Sequence, residues 1–158
     1  MRITTFLFVG TMMLAGCDDN RYFEKNTDFK EAYWLNQDKP SFDFEVPDTL
    51  ERYNLYITLR NESNYPNSNL YFTYYLLNEK GEELKRDLVS KFLFDKKTGE
   101  PLGKSGLGDI YDHRFLLFDK YSFPAPGKYS IRYEQFMRAD TLPGILSVGL
   151  RIEKAGDQ

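Results

Sequence analysis

Three places in this 158-residue chain hold side chains whose type and spacing can do chemistry: the only cysteine, Cys17; the run Gly99-Glu100-Pro101-Leu102-Gly103-Lys104-Ser105; and the only histidine, His113. The glycine-containing run looks like a phosphate-binding loop, in which backbone amides cradle a phosphate while a lysine and a hydroxyl reach its oxygens and metal. Its register fails, because Thr98 stands five residues before Gly103, where that loop requires glycine. No helix-forming run follows Ser105 to aim amides at an anion, and a solvated loop is the better reading. His113 is flanked by Asp109, Asp112 and Arg114. In a strand Asp109, Tyr111 and His113 share one face and Asp112 and Arg114 the other, so the nearest acid on the histidine's side is four residues away. One histidine among scattered acids is poor material for a transition-metal site, and no serine is marked as the nucleophile a triad needs. His113 therefore reads as a strand residue hydrogen-bonded locally. The acid pairs Asp18-Asp19 and Glu82-Glu83 read as solvated. No catalytic residue, metal or cofactor is expected.

Cys17 is different. A basic start, Met1-Arg2, leads into an apolar run from Ile3 to Leu14, which is the layout of a secretory leader. The run has about a dozen residues, whereas a helix crossing a ~30 Å hydrocarbon core needs roughly 20. It ends in Leu14-Ala15-Gly16-Cys17, which resembles the bacterial lipobox. On that reading the chain is cut before Cys17, and the thiol receives a diacylglycerol. A lone cysteine has no partner for a disulfide within the chain. Removing residues 1–16 leaves 142 residues and one basic residue fewer, taking the net charge from −3 to about −4. That length suits one domain with its own core. Charges of both signs are interleaved without a polybasic block, which argues against a nucleic-acid partner and against electrostatic membrane binding. Membrane contact is expected through the lipid on Cys17.

The elements that would carry these residues are strands. Residues 17–30 are mostly polar and read as the lipidated N-terminus and a tether, leaving 31–158 for the folded domain. Phe29–Leu35 opens a first strand. Phe42, Phe44 and Val46 alternate with Ser41, Asp43 and Glu45; Tyr53, Leu55, Ile57 and Leu59 alternate with Asn54, Tyr56, Thr58 and Arg60. Leu70–Leu77 is apolar on both faces, as in a central strand covered on both sides. A weaker strand runs from about Leu88 to Phe94, and Ile110–Phe118, Lys128–Met137 and a last strand with Val148, Leu150 and Ile152 inward follow. Pro126-Gly127-Lys128-Tyr129 resembles a tyrosine corner. Seven or eight short strands with almost no helical period predict a single antiparallel β-sandwich, immunoglobulin-like or jelly-roll-like.

Several stretches belong together: the lipobox with Asn20-Arg21; Phe42-Asp43-Phe44-Glu45-Val46-Pro47-Asp48; Tyr53 through Asn61; Gly106-Leu107-Gly108-Asp109-Ile110; Phe123-Pro124 with Gly127-Lys128-Tyr129; and Val148 through Lys154. In that combination the chain resembles the GldH family of gliding-motility lipoproteins of the Bacteroidetes, over nearly its whole length. The resemblance implies a non-enzymatic accessory lipoprotein of the cell envelope, at the outer membrane, associated with the motility or secretion machinery. It carries over no ligand or catalytic residue, and members occur in bacteria that do not glide.

A protein partner is expected to meet long loops at one end of the sandwich. The candidates are Asn61–Asn69, with Asn61, Asn64, Tyr65, Asn67 and Asn69, and Arg138–Ile145, with Leu142, Pro143, Gly144 and Ile145. Leu142 and Ile145 have two readings: exposed contacts, or a plug for the open end of the core. The alternative function is glycan binding, by stacking on Tyr56, Tyr65, Tyr71, Tyr75 or Tyr111.

Overall fold

Strict alternation decides the centre of the molecule. In a computed structural model, which describes residues 20–156, Tyr53, Leu55, Ile57 and Leu59 all point into the core and are at most 3% exposed. The side chains between them face outward, as period-two patterning dictates. The described chain forms eleven strands: β1 (Arg21–Asp28), β2 (Tyr33–Leu35), β3 (Ser41–Val46), β4 (Tyr53–Glu62), β5 (Asn69–Asn78), β6 (Glu83–Phe92), β7 (Lys104–Ser105), β8 (Ile110–Tyr121), β9 (Gly127–Gln135), β10 (Thr141–Pro143) and β11 (Ile145–Lys154). Three hydrogen-bonded sheets result, a five-stranded one in the order β1-β11-β4-β8-β7, a four-stranded one in the order β3-β9-β5-β6, and the two-stranded pair β10-β2. Every pairing is antiparallel.

The sandwich is all-β as expected, but the count of seven or eight is corrected to eleven. The additions are β1 and the two- and three-residue strands β7 and β10, too short to show a period. Arg21–Asp28, assigned from the sequence to the tether, is β1, paired along its length with β11. As an edge strand it packs few apolar groups on the core: Tyr22 lies 5.3 Å from Tyr53 and Phe23 6.1 Å from Phe44. Its alternation is correspondingly faint. Its place comes from backbone pairing with a strand more than a hundred residues away, which no local pattern reveals.

Between the large sheets lies an aromatic core that includes Phe42, Phe72, Tyr133 and Phe123, with Tyr133 fully buried. The expected corner is present: the Tyr129 hydroxyl donates to the Ala125 carbonyl at 2.6 Å. At the opposite end β2 and β10 form a cap. Trp34, fully buried and stacked 5.3 Å from Phe29, pairs with Leu142 and donates its indole N–H to the Asp38 carbonyl.

The ends of the sandwich differ. One end, the anchor end by virtue of the lipid expected on Cys17, gathers Asn20, the 47–52 turn, the 122–126 corner and the C-terminal side of β11, because β1 and β4 begin there and β11 ends there. The distal end gathers 29–40, 63–68, 93–109 and 136–144.

Candidate functional site

The loop residues expected to meet a partner sit at the distal end, and most are committed to the fold. Asn61 belongs to β4 and is completely buried; its amide donates to the Glu62 carbonyl, and its Oδ1 lies 2.9 Å from His113 Nε2. Tyr65 is 5% exposed, with its hydroxyl on the Asn69 carbonyl, and Asn69 opens β5 and bonds Ser90. Leu142 and Ile145 are buried at 1% and 0%, so of their two readings the structure holds the plug. Gly144 between them has φ 80°, donates to the Ala32 carbonyl and accepts from the Glu62 amide. A side chain there would press on Asn64 Oδ1 and the Tyr65 backbone, so glycine is required twice over. Only Asn64 and Pro143 of the nine are exposed, with Asn67 and Asn69 half-buried. The two loops therefore form a packed lid on the core. The asparagine-rich stretch is bound internally through the Asn61 and Asn69 amides and its backbone, with Ser63, Asn64 and Pro66 exposed.

His113, on the inner face of β8, is 6% exposed and stacks on Phe115 at 5.4 Å. Its bond to Asn61 matches the local role expected from sequence. Burial pushes its pKa down to about 4, with the neighbouring Asp112 carboxylate pulling the other way. The native ring therefore refuses a proton that an unfolded histidine accepts at its ordinary 6.5. The sign follows: the His113 contribution to stability is full above pH 6.5, falls as pH drops from 6.5 towards 4, and changes no further below. The slope is at most about 1.4 kcal/mol per pH unit. Urea midpoints at pH 7.5 and 5.0 are expected to drop less for His113→Gln, whose amide still donates to Asn61, than for the unaltered chain. Equal drops would remove His113 from the pH response.

The outer face of the five-stranded sheet carries a polar cleft of about 570 Å³ lined by Asn26, Thr58, Arg60, Asp112, Arg114 and Arg151 among others. Its charges are paired across strands: Arg60 with Asp112 at 2.7 Å, Arg114 with Glu153 at 2.8 Å, and Arg151 with both Glu153 and Glu24. Asn26 reaches from β1 across β11 to Thr58 on β4 at 2.8 Å, over Gly149, where any Cβ would collide with Asn26 Oδ1. Among the described residues no group of three acids, histidines or cysteines is placed to hold a metal ion.

The tyrosines do not assemble a stacking platform. Tyr65 is buried, and the Arg114 guanidinium lies 5.0 Å from the Tyr56 ring on one sheet. Tyr111, on the same sheet as Tyr56, packs edge-on to Phe94, while on the other sheet Arg132 covers Tyr75 at 4.5 Å.

The outer face of β5, expected to lie under a further layer, has none at its distal end among the described residues. There Tyr71 (43% exposed), Leu88 (46%) and Phe136 (64%) line an apolar groove of about 580 Å³ with Met137, Asn67, Arg138 and Ala139. The turn presenting Phe136 is fixed. The Phe136 amide donates to the Tyr71 carbonyl, the Tyr71 amide to Met137 Sδ at 3.2 Å, and buried Gln135 clamps the turn by accepting from Met137 N–H and donating to the Ala139 carbonyl. Asn67, Tyr71 and the Arg138–Ile145 loop were singled out from sequence, on other grounds, whereas Leu88, Phe136 and Met137 were not. The signal was present: with Tyr129, Ile131 and Tyr133 inward, the same register puts Gln135 inward and Phe136 outward.

The fold defines a class, the antiparallel all-β sandwiches. The sequence profile of the family described as GldH lipoprotein matches residues 21–152, and the chain belongs to that family. The gliding motility lipoprotein GldH homolog of Christiangramia forsetii is 29% identical, over 96% of each chain. The gliding motility lipoprotein GldH of Flavobacterium johnsoniae is also 29% identical, over 94% of each. Among solved structures, the VP2 subviral particle of infectious bursal disease virus aligns with 95% of this chain and 37% of its own, at TM-score 0.40 and 12% identity, too slight a likeness to bear on function.

Proposed function

We propose that this protein is a lipid-anchored accessory component of the cell envelope, held at the outer membrane by acylated Cys17, that works without catalysis by binding a protein of the motility or secretion machinery. The family membership and the relatives named for gliding motility support the setting. The observation that carries the binding reading is the groove of Tyr71, Leu88, Phe136 and Met137 on a pre-ordered turn. Large apolar side chains held rigidly in water are the usual anchors of an interface, because little ordering entropy is lost on contact. With Arg138 on the rim, the fitting occupant is a protein segment whose apolar side chains are flanked by carboxylates.

The test is a crosslinking pull-down of the lipidated protein from its native envelope. Leu88→Ser combined with Phe136→Ser is expected to cut the recovered partner at least tenfold while leaving the melting temperature within a few degrees, since both side chains are largely exposed. Full recovery of the same partner by the double variant would move the interface elsewhere on the sandwich.

A further inference from the structure

We infer that the 47–52 turn at the anchor end is a membrane-contact element, seating Leu50 in the surface of the bilayer that holds the lipid on Cys17. The inference rests on the proposed acylation of Cys17 and adds how the folded domain is oriented on the membrane. The length of chain outside the fold is the first support. Only Asp18 and Asp19 separate Cys17 from Asn20, whose carbonyl already accepts the Lys154 amide at 2.9 Å. Three peptide steps reach at most about 11 Å, against strands of ten residues that span roughly 33 Å. The tether is too short to lift the domain clear of the lipid surface.

The second support is what stands beside that exit point. Ala155 N–H donates to the Arg52 carbonyl at 2.8 Å, and Lys154 Nζ lies 3.7 Å from Glu51 Oε1, so the end of β11 ties Asn20 on one side to the turn on the other. β1 and β4 flank β11, which sets the two about 10 Å apart. The turn is rigid, because Asp48 Oδ1 accepts from both Leu50 N–H at 2.9 Å and Glu51 N–H at 3.2 Å. At its tip Leu50 is 92% exposed. A solitary exposed leucine is ordinary on a protein surface. This one projects from the end to which the acyl chains are tied, within reach of the headgroup layer. Two acidic and two basic residues surround it (Asp48, Glu51, Arg52, Lys154), so the contact is apolar and not an electrostatic attraction to anionic lipid.

The arrangement has a reference point at the other pole. Leu107, between β7 and β8 at the distal end, is 93% exposed and equally apolar. If the anchor end faces the bilayer, Leu107 faces away from it.

The full-length lipidated protein is reconstituted into phosphatidylethanolamine–phosphatidylglycerol vesicles. Acylation consumes the Cys17 thiol, so Leu50→Cys and Leu107→Cys each offer a single free thiol for the environment-sensitive fluorophore NBD. The expected result is blue-shifted emission at position 50, with iodide quenching reduced severalfold relative to position 107. Vesicle flotation is scored in the same samples. Protein that floats with both positions equally quenched overturns the membrane contact and leaves the anchor standing. Protein that does not float overturns the acylation on which both rest. Shielding at position 107 with exposure at position 50 reverses the orientation and overturns the inference.

Discussion

Replacing Leu142 and Ile145 together by serine is expected to leave the domain unfolded or close to it at physiological temperature. Both side chains are essentially buried, one paired with Trp34 in the distal cap and the other opening β11 beside Asn61. Truncating a buried leucine or isoleucine costs roughly 2 to 5 kcal/mol, from lost transfer energy and the cavity left behind. Each serine also places a hydroxyl where the cap offers it no designed partner, at a further cost of about 1 to 3 kcal/mol. The sum rivals the whole stability of an ordinary domain, about 5 to 15 kcal/mol. Substituting the exposed neighbours Pro143 and Asn64 by alanine should change the melting temperature far less. A double variant that melts like the unaltered protein would mean that the cap does not hold the distal end closed.

The second large effect falls outside the described residues. Cys17→Ala is expected to leave the precursor unprocessed by the lipoprotein signal peptidase and to remove the lipid from the protein. Each methylene buried in a bilayer contributes about 0.8 kcal/mol, so a diacylglycerol holds a protein firmly where a single acyl chain would let it exchange. Mass spectrometry of the N-terminal peptide is the measurement. An unmodified Cys17, or a mature N-terminus at another residue, would end the anchor reading and with it the proposed setting.

How much of this was legible in the residues depends on how local each signal is. The facing of β3, β4 and β9 follows directly from alternation, because a half-buried strand has no other way to sort its side chains. β1 was hidden because an edge strand needs little apolar surface and takes its register from β11. The groove was hidden for the opposite reason. Tyr71 looked like part of one face of a doubly covered strand, and among the described residues no third layer lies over it, which leaves it 43% exposed. Asn61 illustrates a third limit. Its polarity suggested solvent, yet the β4 period that placed Leu59 inward also places Asn61 inward, where His113 meets its amide. The resemblance to the lipoprotein family needed none of these details, since it rests on many short stretches taken together.

The direction in which β1 enters its sheet has a mechanical meaning. The strand starts at the anchor end and runs away from it, so a pull transmitted through Cys17 acts along the strand axis. The hydrogen bonds between β1 and β11 lie across that axis. Such a load strains all the rungs from Arg21 to Asp28 at once, in shear, and cannot open them one after another as peeling from a free end would. The Glu24–Arg151 ion pair and the Asn26 bridge to Thr58 add cross-ties in the same direction, the second of them skipping over β11 to β4. A domain tethered to a membrane and gripped at its far end would thus be stiffest along the line on which the two would pull it apart.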